Sequence, residues 1–421
     1  MRFNTLGVLK GIDIIMKICY CSLLLPDAEK LMRKTKSKLS FSRHKFGTNI
    51  LEGLEYNSNG NVTVFNIINT VNFPQYKQLI FKTEEWSHNN KSQNRHVGYI
   101  NLFIVKYITQ YLMLKKNLKR WIKENRDEQL VIYVQDMYFP SVCAALATAK
   151  KRKNVKTCLM TGDLNGKYGL ASDCSKFKNW LIEKKDNYIN KKIKEFDSFV
   201  LVTKFMAEAM GVQDKPNTIM ECLYSPENSK LYEVDNKETS EKIIFNAGAI
   251  REEYGISHLL RAFSMIQDEN YRLWIAGGGD GVDEVKEYEK KDSRIKYLGF
   301  ISPKQVEEYQ QIATALINPR TSEHEFVKYS FASKNMECLA SGKPYIAHRL
   351  PCNPVEYDDF IQYPSNETDE ALKDEIIKVC EMTKQERDKI GIKSRNFILK
   401  EKNPIKQCKK IYDMLENMWK C

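Results

Sequence analysis

An alternation constrains this chain more than any other feature. Short apolar runs of strand-like composition are separated by longer stretches of helical periodicity, and the pattern occurs twice. In the first half, Lys17–Leu24, Val62–Ile67, Leu130–Val134, Lys156–Met160 and Ser198–Val202 read as strands, and Tyr99–Glu124, Ser141–Lys150 and Phe177–Phe196 as helices. In the second half, Lys242–Ala247, Tyr271–Ala276, Ile295–Gly299, Ala315–Asn318 and Pro344–Ala347 read as strands. Between them, Ile256–Ile266, Val282–Glu289, Pro303–Ile312 and Lys334–Leu339 read as helices. This β-α-β-α order predicts an α/β protein of parallel sheets with helices on both faces. A chain of 421 residues is too long for one ordinary core, so two doubly wound lobes are expected. The polar, unpatterned stretch Ser225–Ser240 reads as the linker, which puts the lobes at 1–224 and 241–401, with a tail at 402–421.

Charge divides the chain at the same place. Residues 1–230 carry 37 Lys and Arg against 21 Asp and Glu, and residues 231–421 carry 29 against 33. A basic first half and a nearly neutral second half imply different partners. The basic half lacks the interleaved aromatic and basic platforms of a nucleic-acid binder, so no nucleic-acid partner is expected. The 11 cysteines are odd in number and lack paired metal-type spacing, and Cys19-x-Cys21 is a poor zinc half-site. Reduced thiols in a cytoplasm and no metal are expected. Lys10, Asp13 and Lys17 interrupt the apolar runs Ile12–Met16 and Cys19–Leu25, so neither makes a signal peptide or a spanning helix. Residues 1–15 read as an extra leader or as a start misplaced from Met16 to Met1. No uninterrupted apolar stretch is long enough to predict a membrane crossing.

The densest motif is Ser330-Phe331-Ala332-Ser333-Lys334-Asn335-Met336-Glu337-Cys338-Leu339-Ala340-Ser341-Gly342-Lys343-Pro344. Lys334 and Glu337, three apart on a helix, share a face, and Ser-Gly-Lys-Pro is a helix stop. A first turn bearing Ser, Lys and Glu offers donors for a diphosphate and a carboxylate for hydroxyls. The segment resembles the donor-site helix of the retaining glycosyltransferases of family 4, in the capsule and exopolysaccharide form F-P-S-K-x-M-E-Y-L-A-S-G-x-P. The resemblance covers residues 240–400 at motif level and the first half only loosely. It implies a GT-B fold: two Rossmann-like lobes facing a cleft, the last helix Pro404–Trp419 crossing back onto the first. It also implies a UDP- or GDP-linked sugar as donor substrate, and neither cofactor nor metal.

Ligands of such folds sit beyond the carboxyl ends of the strands. Gly248, in Gly248-Ala249-Ile250-Arg251, follows a strand and precedes a helix; it reads either as a phosphate turn or as an ordinary strand–helix turn. The family places Arg and Lys where this chain has Ala249 and Tyr254. The diphosphate therefore needs other cations, and Arg320, Lys334 and Arg251 are the candidates. The first of the family's two glutamates falls on Tyr329 and the second on Glu337. By resemblance Glu337 holds the donor, Tyr329 orients its sugar, Gly277 and Gly278 form the glycine turn beside it, Phe300 meets the base, and Ser333 stands at the helix tip.

In the first half, Asp163 follows a strand and reads as an acceptor-side carboxylate or as a turn former before Gly166; Asp136 is a weaker parallel. The segment Tyr99–Glu124 has a wide apolar face ending in Lys115, Lys116, Lys119 and Arg120. It suits either an anionic bilayer surface or a core helix with a solvated end. The cluster Lys30–Lys38 adds charge. The reading is a retaining, metal-independent glycosyltransferase moving sugar to a lipid-linked or glycan acceptor, with Glu337, Lys334 and Asp163 at its centre. It would be cytoplasmic, resting on the inner face of the plasma membrane. The alternative is a catalytically silent, glycan-binding or partner subunit of the same fold.

Overall fold

A computed structural model describes residues 16–25, 31, 34, 41–87, 93–164, 176–225 and 240–420. The expected leader 1–15, nearly all of the expected linker and most of the Lys30–Lys38 cluster lie outside the described residues. The first lobe contains β1 (Met16–Ser22), β2 (Val62–Asn66), β3 (Ile80–Phe81), β4 (Glu84–Trp86), β5 (Asn94–His96), β6 (Tyr99–Ile100), β7 (Gln129–Gln135), β8 (Val155–Thr161), β9 (Ser198–Leu201) and β10 (Asn217–Ile219). Its helices are α1 (Phe41–Asn57), α2 (Val105–Glu124), α3 (Phe139–Ala149), α4 (Lys176–Lys192) and α5 (Met206–Met210). The second lobe contains β11 (Lys242–Ala249), β12 (Tyr271–Gly278), β13 (Ile295–Gly299), β14 (Ala315–Asn318) and β15 (Tyr345–Ala347). Its helices are α6 (Ile256–Ser264), α7 (Val282–Lys291), α8 (Pro303–Ile312), α9 (Lys334–Ala340), α10 (Asp369–Glu381) and α11 (Lys384–Glu401), followed by α12 (Pro404–Asn417).

The strands make two main sheets, ordered β10-β9-β8-β7-β1-β2-β5-β4 and β13-β12-β11-β14-β15. Every pairing in them is parallel except β4 with β5. The central strands are apolar on both faces because helices cover both. Tyr20 and Tyr133, neighbours in register, are fully buried and meet edge to face at 5.6 Å. Phe245, Ile275, Leu316 and Ile346 fill the equivalent places in the second lobe.

Three expectations change. The helix expected over Tyr99–Glu124 begins only at Val105: Tyr99 and Ile100 pair with Phe81 and Ile80 in a small antiparallel ribbon. Ile104, at φ 64, breaks the chain between ribbon and helix. Helix α1 was not expected, because Gly47 and Gly53 interrupt its pattern. A Cβ on Gly53 would stand 2.3 Å from the Pro404 carbonyl oxygen and 2.5 Å from Cys408 Sγ, so this glycine lets α1 and α12 pack backbone to backbone. Helices α10 and α11 were also missed.

Helix α12 crosses to the first lobe, where Cys408, Ile411 and Leu415 join its core. The crossover is tied at a buried ion cluster. Lys402, fully buried, pairs with Glu221 of the first lobe and Glu356 of the second, and the Tyr357 hydroxyl donates to Glu221 at 2.7 Å. The Tyr224 amide donates to the Lys402 carbonyl at 2.9 Å, joining the strands of chain that leave and re-enter the first lobe.

Candidate active site

The site begins with how α9 is seated. Met336, Leu339 and Ala340 are buried in the second-lobe core, and the buried Asn335 accepts a hydrogen bond from the Tyr345 hydroxyl at 2.6 Å. Fixing that face turns Ser333, Lys334 and Glu337 the other way, since residues three and four apart share a helix side. Lys334 and Glu337 pair at 3.1 Å.

Two adjoining cavities meet at this face, and Phe331 and Ser333 line both. The first, about 240 Å³, lies within the second lobe; Gly248, Arg251, Tyr254, Arg320, Ser330 and Lys334 contribute to its wall. Its floor is the glycine turn at the end of β11. Gly248 and Gly277 are in register, and Gly277, at φ 133, could not carry a Cβ, which would stand 1.8 Å from the Gly248 carbonyl oxygen. Lys334 lies across this turn: a Cβ built on Gly248 would be 3.7 Å from Lys334 Cε. One on Gly278 would be 2.3 Å from the Phe300 ring, which projects from the end of β13 and is 72% exposed.

Arg320 is the unusual member. It is 94% buried, as its 6% exposure shows, and its guanidinium stacks between Tyr254 at 5.3 Å and Phe326 at 4.9 Å. One Nη donates to the Ser330 carbonyl at 3.3 Å, while Nε and the other Nη have no hydrogen-bond partner among the described residues. A buried cation with two unused donors beside a polar cavity is set up to receive an anion. Arg251 is bound to Glu253 at 2.8 Å on the outer rim, and that hydrogen bond raises its pKa.

The second cavity, about 250 Å³, lies between the lobes. Ser333, Met336 and Glu337 face Arg43, Lys45, Gln135, Asp136 and Asp163 across it, with Glu221 at its inner end. Asp136 directly follows β7 with φ 62, a left-handed conformation uncommon outside glycine. Burial pushes its carboxyl pKa up; Arg43, paired with it at 2.8 Å, pulls it down, and Asp163 pushes it up again. Lys45 approaches Glu337 at 3.9 Å, bringing a first-lobe cation to a second-lobe carboxylate.

The structure therefore gathers Gly248, Arg251, Arg320, Ser333 and Lys334 around one cavity, and Asp163, Ser333 and Glu337 around the other. Gly277, Gly278 and Phe300 form the adjoining strand-end shelf. Tyr329 lines neither cavity: its hydroxyl donates to Glu325 at 3.1 Å and its ring packs on the first-lobe core. Sequence reading missed Arg43 and Lys45 because it missed α1, which carries both. The positive φ of Asp136 leaves no mark in the sequence. Among the described residues, no cluster of three or more His, Cys, Asp or Glu could hold a metal ion, and nine cysteines are free.

Two parallel-stranded lobes, a cleft at the carboxyl ends of the strands and a last helix crossing back define the GT-B fold. Solved structures of that fold match across nearly the whole chain. Sucrose-phosphate synthase from Thermosynechococcus elongatus aligns at 14% identity and TM-score 0.59, covering 96% of this chain and 99% of that one. The lipopolysaccharide outer core galactosyltransferase WaaB aligns at 15% and 0.58, covering 96% and 100%. Anabaena Alr3699/HepE, solved in complex with UDP, aligns at 12% and 0.56, covering 96% and 100%. Residues 228–397, most of them in the second lobe, match the family Glycosyl transferases group 1. No curated protein matches the sequence.

Proposed function

We propose that this protein is a retaining, capsule-type glycosyltransferase of family 4 that moves a sugar from a nucleotide donor to a lipid-linked or glycan acceptor in the cytoplasm. One observation carries the reading: a single helix tip, Ser333 to Glu337, walls both a cation-bearing cavity in the group 1 domain and an acid-bearing cavity between the lobes. In the first cavity a nucleoside diphosphate, UDP or GDP, meets Arg320 and Lys334. These take over the charge neutralisation that Ala249 and Tyr254 do not supply, so the reading needs no metal and no cofactor. The backbone at Gly248, Gly277 and Gly278 allows close approach, and Phe300 offers an apolar face to the base. Arg251, tied to Glu253, steers the donor at the rim.

In transfer, the bond between the anomeric carbon and the diphosphate oxygen breaks, one to the acceptor oxygen forms, and the acceptor hydroxyl's proton passes to the departing diphosphate. Glu337 holds donor hydroxyls, and its partners Lys334 and Lys45 keep its carboxylate in place. Asp163 and Asp136, on the opposite wall, receive the acceptor hydroxyl. Tyr329 acts at one remove, positioning the loop that leads into α9.

Incubating the full chain with a panel of UDP- and GDP-sugars, with and without membranes, tests the proposal. Release of nucleotide that disappears in Glu337→Ala and Lys334→Ala, with unfolding transitions preserved, is the expected result. Near-normal release in either variant removes the site from the reaction. No release with any donor favours the silent subunit, which the Ala249 and Tyr254 positions make the competing reading.

A further inference from the structure

An exposed apolar surface lies on the first lobe, on the β3–β6 ribbon and the helix α2 that follows it. In the β3–β6 ribbon, Phe81 and Tyr99 stack at 4.4 Å on the inner face. Their neighbours Ile80 and Ile100, paired across the strands, therefore point outward and are exposed. The surface continues through Leu102 and Phe103 into α2, whose inner face buries Leu114, Leu118, Trp121 and Ile122. Its outer face carries Ile108 and Leu112, 53% and 54% exposed, and Ile104, 52% exposed, stands just before its first turn. Four-residue spacing puts Ile108 and Leu112 on one stripe, and the same face continues as Lys116, Lys119 and Lys123, all exposed. Those three lysines enter no ion pair among the described residues. The nearby Glu124 is taken by Arg120 at 2.7 Å and Glu85 by Arg95 at 3.1 Å.

We propose that this ribbon and stripe dock the protein on an anionic phospholipid bilayer, the apolar tips entering the acyl boundary and the lysines meeting headgroups. The proposal builds on the glycosyltransferase reading and narrows its acceptor to a lipid-linked one. Charge complementarity selects the occupant. The half of the chain that carries the patch holds 37 Lys and Arg against 21 Asp and Glu, and the other half is nearly neutral. A second copy paired across a two-fold axis would set this cationic end against itself or against the apolar stripe, and neither supplies a counter-charge. Among the described residues no helix is long and apolar enough to cross a membrane, so attachment here is to the surface. The patch is also wired to the cleft. Tyr138, two residues beyond Asp136, donates to Gln110 of α2 at 2.7 Å, and Lys106 of α2 donates to Asn69 Oδ1, beyond β2, at 3.2 Å.

The test is co-sedimentation of the full chain with vesicles of phosphatidylcholine, alone or mixed with phosphatidylglycerol. Two triple variants accompany it: Phe103→Ser/Ile108→Ser/Leu112→Ser and Lys116→Gln/Lys119→Gln/Lys123→Gln. The expected result is binding that requires the anionic lipid and weakens with salt. It should fall on the order of a hundredfold in the lysine variant and more than about tenfold in the apolar one. Donor binding measured without vesicles should stay unchanged in both, so failure here is separable from failure of the glycosyltransferase reading. Absence of vesicle binding by the unaltered protein overturns the proposal, as does binding equally strong in the apolar variant. A concentration-dependent dimer lost in that variant, without vesicle binding, overturns it in favour of a second copy.

Discussion

The two lobes share one scaffold and differ in what they do with charge. The second lobe places a few charges in defined surroundings: Arg320 stacked and buried, Lys334 laid over the glycine turn, Glu337 held between two lysines. The first lobe has the larger excess of cations, 37 Lys and Arg against 21 Asp and Glu over residues 1–230, and among the described residues brings Arg43 and Lys45 to the cleft. Net charge is therefore a poor guide to where chemistry happens. The nearly neutral half holds the cavity walled by Arg320 and Lys334, and the basic half supplies Asp136 and Asp163 to the neighbouring cavity between the lobes. Desolvation explains the contrast, since a cation strengthens as an anion partner when water is excluded around it.

The largest expected effect tests whether the lobes depend on their seam. Replacing Lys402 by Met strands Glu221 and Glu356 without their shared cation. Breaking a buried ion cluster on one side costs about 3–5 kcal/mol, so urea unfolding should shift by that much. Retained stability would mean the lobes are held by packing alone. Next comes Arg320→Lys, which keeps charge but loses the planar stack on Tyr254 and Phe326. Losing a preorganised donor at a developing anion typically costs about 10²–10³ in turnover. A drop of that order in kcat/KM with unchanged unfolding supports the division of labour between lobes, and unchanged kinetics would move the diphosphate away from Arg320.

The alternation of strands and helices made the second lobe legible as far as β15, with β13, β14 and α8 at the expected bounds, while α10 and α11 beyond it were missed. Its site was legible too, because the motif concentrates Ser333, Lys334 and Glu337 within one turn. The first lobe was legible only in its central strands. Helix α1 hid behind Gly47 and Gly53, whose value lies in contacts with distant segments that local pattern cannot reveal. Strand β6 was read as the start of α2 because its residues are apolar in either conformation. Arg43 facing Asp136, and Tyr254 stacking on Arg320, join residues far apart in the chain, and such pairings exist only once the fold is formed.

A third prediction concerns a network confined to the second lobe. His258 on α6 bonds His348 at 3.0 Å and Asp369 at 2.5 Å, and Arg261 clasps the same carboxylate at 2.6 Å. Burial first, and the neighbouring His258 second, lower the His348 pKa from 6.5 to about 4. The folded state thus binds fewer protons than the unfolded chain in that window. Its contribution is present above about pH 6.5 and is lost as pH falls toward about 4, on the order of 3 kcal/mol in all. Comparing urea unfolding of the unaltered protein and His348→Gln at both ends of the window isolates this contribution from the general acid response of the carboxylates. The variant should show the shallower decline, and equal slopes would mean that His348 titrates normally.

The smallest effect is the most discriminating about Tyr329. If its hydroxyl contacted the transferred sugar, as the resemblance implies for this position, Tyr329→Phe would lower turnover sharply. The structure instead has it donating to Glu325, a half-exposed bond outside both cavities, with the ring on the first-lobe core. A neutral-to-charged hydrogen bond near solvent contributes at most about 1 kcal/mol. Tyr329→Phe should therefore cost less than about tenfold in kcat/KM and little stability, whereas Tyr329→Ala removes the packing and should lower the melting temperature. A large loss in the Phe variant with normal melting would place the hydroxyl on the donor during turnover. It would also imply that closing the cleft turns the Glu325–Tyr329 segment inward, so that the two lobes complete the site together.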